Sequence, residues 1–149
     1  MNRIIVGRDA FTVHVPSAST GGALLVGEVA IPPGGGPPAL HRHAPTEVYL
    51  VDRGELAIYL EDDAGEVRRI AATPRQVIHI PAGRAHTVRN ESDAEAVAYV
   101  AFAPGAEMEA FLHAAGALAA DGPPAIEAVL ALAARHGIEM TGPAASTRA

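Results

Sequence analysis

From residue 3 to about residue 103 the sequence reads as short β-prone runs, each cut off by turn-forming residues within a few positions. Ile4 to Val6 and Phe11 to Val15 are brief runs, and Ala23 to Ile31 is a longer one. The last is closed by Pro32-Pro33-Gly34-Gly35-Gly36-Pro37-Pro38, a segment that can be neither helix nor central strand and must be a loop. Glu47 to Val51 is the next run, with a tight turn at Asp52-Arg53-Gly54. Leu56, Ile58 and Leu60 then alternate with Ala57 and Tyr59, the pattern of a half-buried strand. A turn at Asp62 to Gly65 leads into Val67 to Ala71, and a turn at Thr73 to Gln76 into Val77 to Ile80. Pro81-Ala82-Gly83 breaks that strand. Thr87 to Arg89 and Glu95 to Ala103, separated by a turn at Asn90 to Ala94, complete the series. Strands at this spacing predict an all-β sandwich or barrel.

The pattern changes after Pro104-Gly105. Met108, Phe111, Leu112, Ala115 and Leu118 recur at helical spacing, with Glu107 and Glu109 well placed in the first turn. Asp121-Gly122-Pro123-Pro124 separates a second helix, whose apolar stripe is Ile126, Val129, Leu130 and Ala133 and whose stop is Gly137. Ile138 to Met140 reads as a short terminal strand, and the tail from Pro143 as disordered. The helical pair is expected to act as a lid or dimer surface over apolar barrel. The 149 residues therefore divide into a β-barrel over 1–104 and a helical extension with tail over 105–149, packed as one domain unit.

Composition narrows the chemistry. All eleven basic residues are arginine, which excludes a Schiff-base lysine and a Walker-type phosphate loop. The absence of cysteine excludes disulfides, a thiolate nucleophile and a Cys-ligated metal. A net charge of −6 argues against nucleic acid or an anionic membrane as partner. With no secretory leader or membrane-length apolar run in the sequence, the expectation is a soluble cytoplasmic protein.

His41, His43 and Glu47 follow the Pro/Gly loop at odd positions, so on an extended chain they share one face. Two imidazoles and a carboxylate on one face are part of a metal site. A fourth ligand is found in Pro81-Ala-Gly-Arg-Ala-His86-Thr-Val-Arg-Asn90. The two pieces read Gly35-x5-His41-x-His43-x3-Glu47-x6-Gly54 and Pro81-x-Gly83-x2-His86-x3-Asn90. This pair of motifs resembles those of the cupin superfamily, small single-domain members similar to quercetin dioxygenase in particular. The second motif departs at its start, where Arg75-Gln76 stands in place of the usual Gly. Because arginine resists a positive φ, a type I turn is expected there rather than type II.

The resemblance implies a jelly-roll barrel, the double-stranded β-helix, with a C-terminal α-helical extension and one divalent metal inside. Three imidazoles and a carboxylate, with no soft ligand, suit Fe, Mn, Ni, Co, Cu or Zn in the divalent state. It further implies a dioxygenase acting on an enolic or flavonol-like aromatic substrate. His41, His43 and His86 would hold the ion and Glu47, also a ligand, would serve as the base, since a carboxylate can leave the metal and accept a proton. Two alternatives remain open on the same frame. One is another metalloenzyme (isomerase, lyase or decarboxylase), and the other a non-catalytic small-molecule-binding module.

Around the ligands, Tyr49 shares the parity of Glu47, His79 lies on the strand before the second motif, and Arg84 lies just ahead of His86. These three are the candidate substrate-pocket residues. His14, His113 and His136 read as surface or packing residues. Unpaired sheet edges and apolar helices point to a homodimer.

Overall fold

β-Branched and aromatic residues in short alternating runs put most of the chain before Pro104 into strands. The computed structural model describes residues 3–143. Its strands are β1 (Arg3–Val6), β2 (Asp9–Val15), β3 (Leu25–Ile31), β4 (Ala39–Arg42), β5 (Thr46–Arg53), β6 (Leu56–Glu61), β7 (Val67–Ala72), β8 (Val77–Ile80), β9 (His86–Arg89) and β10 (Ala96–Ala103). Helices α1 (Ala106–Leu118) and α2 (Ile126–Arg135) and a final strand β11 (Glu139–Pro143) follow. The strands form a six-stranded sheet in the order β1-β2-β3-β10-β5-β8 and a five-stranded sheet in the order β11-β4-β9-β6-β7. Every pairing is antiparallel. The two sheets enclose an aliphatic core that includes Leu25, Ile31, Val51, Leu56, Ile58 and Ile80, as a jelly roll requires.

Three local readings are corrected. β6 is buried on both faces rather than one: Leu56 and Ile58 face the core, while Ala57 and Tyr59 pack outside against Leu40 and Val67. The stripe expected on α2 is shifted, since Ile126 and Leu130 are exposed while Leu132 and Ala133 are buried. β5 also runs on through Arg53, so the turn begins only at Gly54. Gly54 has φ +78° and a Cβ there would stand 2.8 Å from the Ala96 Cα, so glycine is needed on both counts.

The turn at Thr73–Gln76 is a further correction. Arg75 adopts φ +75°, and the Gln76 N–H donates to the Thr73 carbonyl at 3.1 Å, the type II pattern rather than type I. Surrounding bonds hold it there. The Arg75 N–H donates to the Val51 carbonyl (2.8 Å), and the Thr73 N–H and hydroxyl both donate to Gln76 Oε1 (2.8 and 3.1 Å). The left-handed region costs a side chain on the order of 1–2 kcal/mol, part of which glycine gives back in unfolded-chain entropy. Arg75→Gly is therefore expected to stabilise the fold by roughly 0.5–1 kcal/mol. Denaturant titration checks this, and an unchanged or lower midpoint would refute it.

The chain after Pro104 returns to the barrel. Glu109 in the first turn of α1 accepts the Ser17 N–H (2.8 Å) and hydroxyl (2.7 Å). His136 at the end of α2 bonds Glu107 on α1, Nδ1 to Oε2 2.5 Å. β11 then pairs with β4, with Met140 opposite His41. The strand thus extends through Pro143, where a tail was expected to begin; the remainder of that tail lies outside the described residues. Among the described residues no helix is long and apolar enough to cross a membrane.

Candidate metal centre

The register of the strands assembles the site. β4 and β9 meet at one residue pair, His41 opposite His86, which sets their imidazoles side by side with centroids 4.5 Å apart. His43 lies just past β4, where its carbonyl accepts the Gly83 N–H at 2.9 Å. Its ring stands nearly perpendicular to that of His86, centroids 4.9 Å apart. Glu47 and Tyr49 come from β5 in the opposite sheet, both buried and inward-facing. The donor atoms of His41, His43 and His86 all lie within 4.8 Å of one another, a group that could hold a metal ion. Glu47 Oε2 stands 3.1 Å from His43 Nε2 and 3.0 Å from His86 Nε2.

Backbone carbonyls fix which nitrogen faces inward. Nδ1 lies 3.1 Å from the Ala39 carbonyl in His41, 2.9 Å from that of Pro45 in His43, and 2.8 Å from that of Arg84 in His86. A carbonyl oxygen only accepts, so each Nδ1 carries a proton, which leaves each Nε2 free to bind a metal ion or, in the metal-free chain, to take a second proton beside Glu47. Buried ring nitrogens crowded against a carboxylate call for positive charge among them, from a metal ion or from a proton on an imidazole beside Glu47. His43 Nε2 is in fact buried without a hydrogen-bond partner. The donor set, all nitrogen and oxygen, fits a divalent transition metal.

The electrostatics agree. Burial, reinforced by the charge of His86, pushes the His41 imidazole down to about 4. Burial alone would raise Glu47, but the hydrogen bond from His86 and the charge of both neighbouring imidazoles outweigh it and hold the carboxyl well below its ordinary range. Burial would lower His86, and there the Glu47 carboxylate prevails and raises it. Burial and the Glu47 charge push the Tyr49 hydroxyl far up, so it stays protonated. In the metal-free chain the His41 contribution to stability is present above its ordinary 6.5 and is lost as pH falls toward 4. That of Glu47 is likewise lost as pH falls below its ordinary 4.5, while that of His86 is present below 6.5 and fades as pH rises. Melting of the metal-free protein should therefore fall between pH 6.5 and 4, and His41→Gln should flatten that fall. Protons also compete with metal for the same lone pairs, so dialysis at pH 4 should strip the ion; full metal content there would refute this.

The cluster opens into a cavity of about 380 Å³ with largely apolar walls. Tyr49 lines it. His79 does not, being on the outside of β8 with Nε2 2.7 Å from the Thr46 hydroxyl oxygen. Nor does Arg84, which donates to the Glu61 carbonyl at 3.1 Å and pairs with Asp63. The sequence reading missed Phe102, whose ring lies 6.2 Å from that of His43, and Met108, Phe111, Leu112 and Met140 from the C-terminal segment. The helical apolar stripe was the available signal for most of them.

The motif residues outside the ligand set hold the frame. Asn90, fully buried, donates through Nδ2 to the carbonyls of Ile31 and Ala94, both at 2.8 Å. Its backbone N–H donates to the Gly35 carbonyl (3.1 Å) and its carbonyl accepts from the Gly34 N–H (2.8 Å), which fastens the Pro/Gly loop beside the cavity.

The sequence profile of the Cupin domain family matches residues 27–102, just over half of the chain. The chain belongs to the cupin family. Among solved structures, the cupin is similar to TT1209 from Thermus thermophilus at 25% identity and a TM-score of 0.51, covering 63% of this chain and 85% of that one. It is also similar to an oxalate oxidase in complex with the substrate analogue glycolate, at 25% identity and TM-score 0.56, covering 85% of this chain and 65% of the oxidase. The Lactobacillus farciminis oxalate decarboxylase formate complex shares the fold at TM-score 0.59 and 19% identity, covering 69% of this chain. The chain spans just under two thirds of the oxidase and 31% of the decarboxylase. No match to the sequence was found among curated proteins.

Proposed function

We propose that this cupin is a metal-dependent dioxygenase acting on a small, largely apolar molecule that presents an enolic or flavonol-like pair of oxygens. The observation that carries the reading is the cluster of His41, His43 and His86 with Glu47 beside it, which opens through His41, His43 and Glu47 into a cavity of about 380 Å³ with largely apolar walls. His41, His43 and His86 would hold the ion, with Glu47 beside them. A metal held there would supply Lewis acidity toward a substrate oxygen. Phe102, Phe111 and Leu112 exclude water and pack the substrate body. Glu47 takes the proton of the substrate hydroxyl, and the neutral Tyr49 hydroxyl offers a hydrogen bond beside it.

The likeness to an oxalate oxidase favours a second reading, oxidation or decarboxylation of a small carboxylic acid. Arg8 is the one cationic side chain among the residues lining the cavity, and it already donates to the Pro33 carbonyl at 3.2 Å. Apart from a divalent ion on the histidines, the cavity offers no uncommitted cation, and its largely apolar walls suit an apolar substrate body better than a small dianion. Elemental analysis followed by oxygen-electrode assays with flavonols, enediols and oxalate separates the readings. Oxygen uptake with the first two supports the proposal, and turnover of oxalate alone replaces it. Binding without turnover under every reconstituted metal would leave a binding module.

A further inference from the structure

Asp9 is the carboxylate in the cavity wall that has no part in the metal centre. It opens β2, shares the inward parity of Phe11, and lines the same cavity as His41 and Tyr49. The sheet registers place it at the other end. Glu47 stands opposite Phe102, Val51 opposite Ala98 and Val29 opposite Phe11, and Asp9 lies two residues further in the same direction.

The Asp9 carboxylate is built in rather than adrift. Oδ1 accepts the Gly36 N–H at 3.1 Å, and a Cβ on Gly35 would stand 2.7 Å from that oxygen. Among the described residues Oδ2 has no hydrogen-bond partner, yet it is not one of the buried unpartnered side-chain atoms, so it remains accessible. The two nearby arginines are committed to the loop: Arg8 Nη2 donates to the Pro33 carbonyl (3.2 Å), while Arg89 donates to the carbonyls of Gly34 (3.0 Å) and Gly36. Asp9 is partly buried at the cavity wall, where an oxygen left without a donor gives up part of its hydration.

We propose that Asp9 reads the end of the substrate remote from its metal-chelating oxygens, accepting a hydrogen bond from a terminal hydroxyl or ammonium group. This rests on the reading of the site given above and narrows it. The substrate class becomes an enolic chelator with an apolar body and a distal hydrogen-bond donor.

The test is calorimetric binding to the metal-loaded protein of 3-hydroxyflavone, its 4′-hydroxy derivative and its 4′-carboxy derivative. The 4′-hydroxy compound should bind about tenfold tighter than the parent, the scale of one hydrogen bond to a charged group. Asp9→Asn keeps an oxygen for the Gly36 N–H while turning the free acceptor into a donor. It should erase that tenfold preference without weakening the parent compound. Equal affinities in wild type, or a preference that survives in Asp9→Asn, would overturn the assignment alone. Tightest binding of the 4′-carboxy compound would overturn it in favour of Arg8. Failure of all three to bind the wild type would overturn the flavonol-like reading and this one with it.

Discussion

Replacing His86 with alanine should abolish metal binding at the histidine cluster. His86 contributes one of three inward lone pairs, it is buried, and its Nδ1 is tied to the Arg84 carbonyl, so no neighbour can take its place. Changes in groups that merely orient a ligand cost about 10–100-fold in metal affinity, and loss of the ligand itself should exceed about 100-fold. The variant should come through dialysis without stoichiometric metal while circular dichroism still reports a β fold. It also leaves Glu47 with a single imidazole contact, so the metal-free variant should melt below the metal-free wild type. Stoichiometric metal in His86→Ala, measured by elemental analysis, would remove the histidine cluster from the proposal.

Glu47→Gln separates holding the ion from doing chemistry. The amide matches the carboxylate in shape and reaches the same space 3.0 Å from His86 Nε2, but it cannot accept a proton from a substrate hydroxyl. Three imidazoles remain, so the ion should stay bound, while oxygen uptake with an enolic substrate falls by about 10²–10⁴-fold, the range of general base catalysis. Retained turnover in the metal-loaded variant would exclude Glu47 as base. Substrate affinity should change little, because the apolar walls are untouched.

The barrel was legible in the sequence because its information is local. Turn residues such as Gly54, Gly65 and Gly83 sit where the backbone takes a positive φ, and alternation marks the inward face of each strand. The spacing of His41, His43, Glu47 and His86 was legible for the same reason, since parity puts a side chain on a face without knowledge of its partner. What was not legible depends on which strands become neighbours. His79 has a pocket-like sequence context, yet β8 lies at a sheet edge and turns it outward toward Thr46. Tyr59 reads as a solvent-facing residue until Leu40 and Val67 cover it. Arg75 shows the limit from the other side: intrinsic preference predicts one turn, and four hydrogen bonds around the loop impose another.

The pairing of β11 with β4 has a kinetic side. On its other flank the strand that carries His41 meets β9 through one residue pair, so much of its anchorage comes from residues about a hundred positions later in the chain. Such a contact closes a very long loop, and its entropic cost is recovered only after the barrel around it has formed. By this loop-closure argument the strand of His41 is expected to be secured late. The same pairing seats Met140 in the cavity wall, so one late contact both secures the strand under His41 and completes that part of the wall.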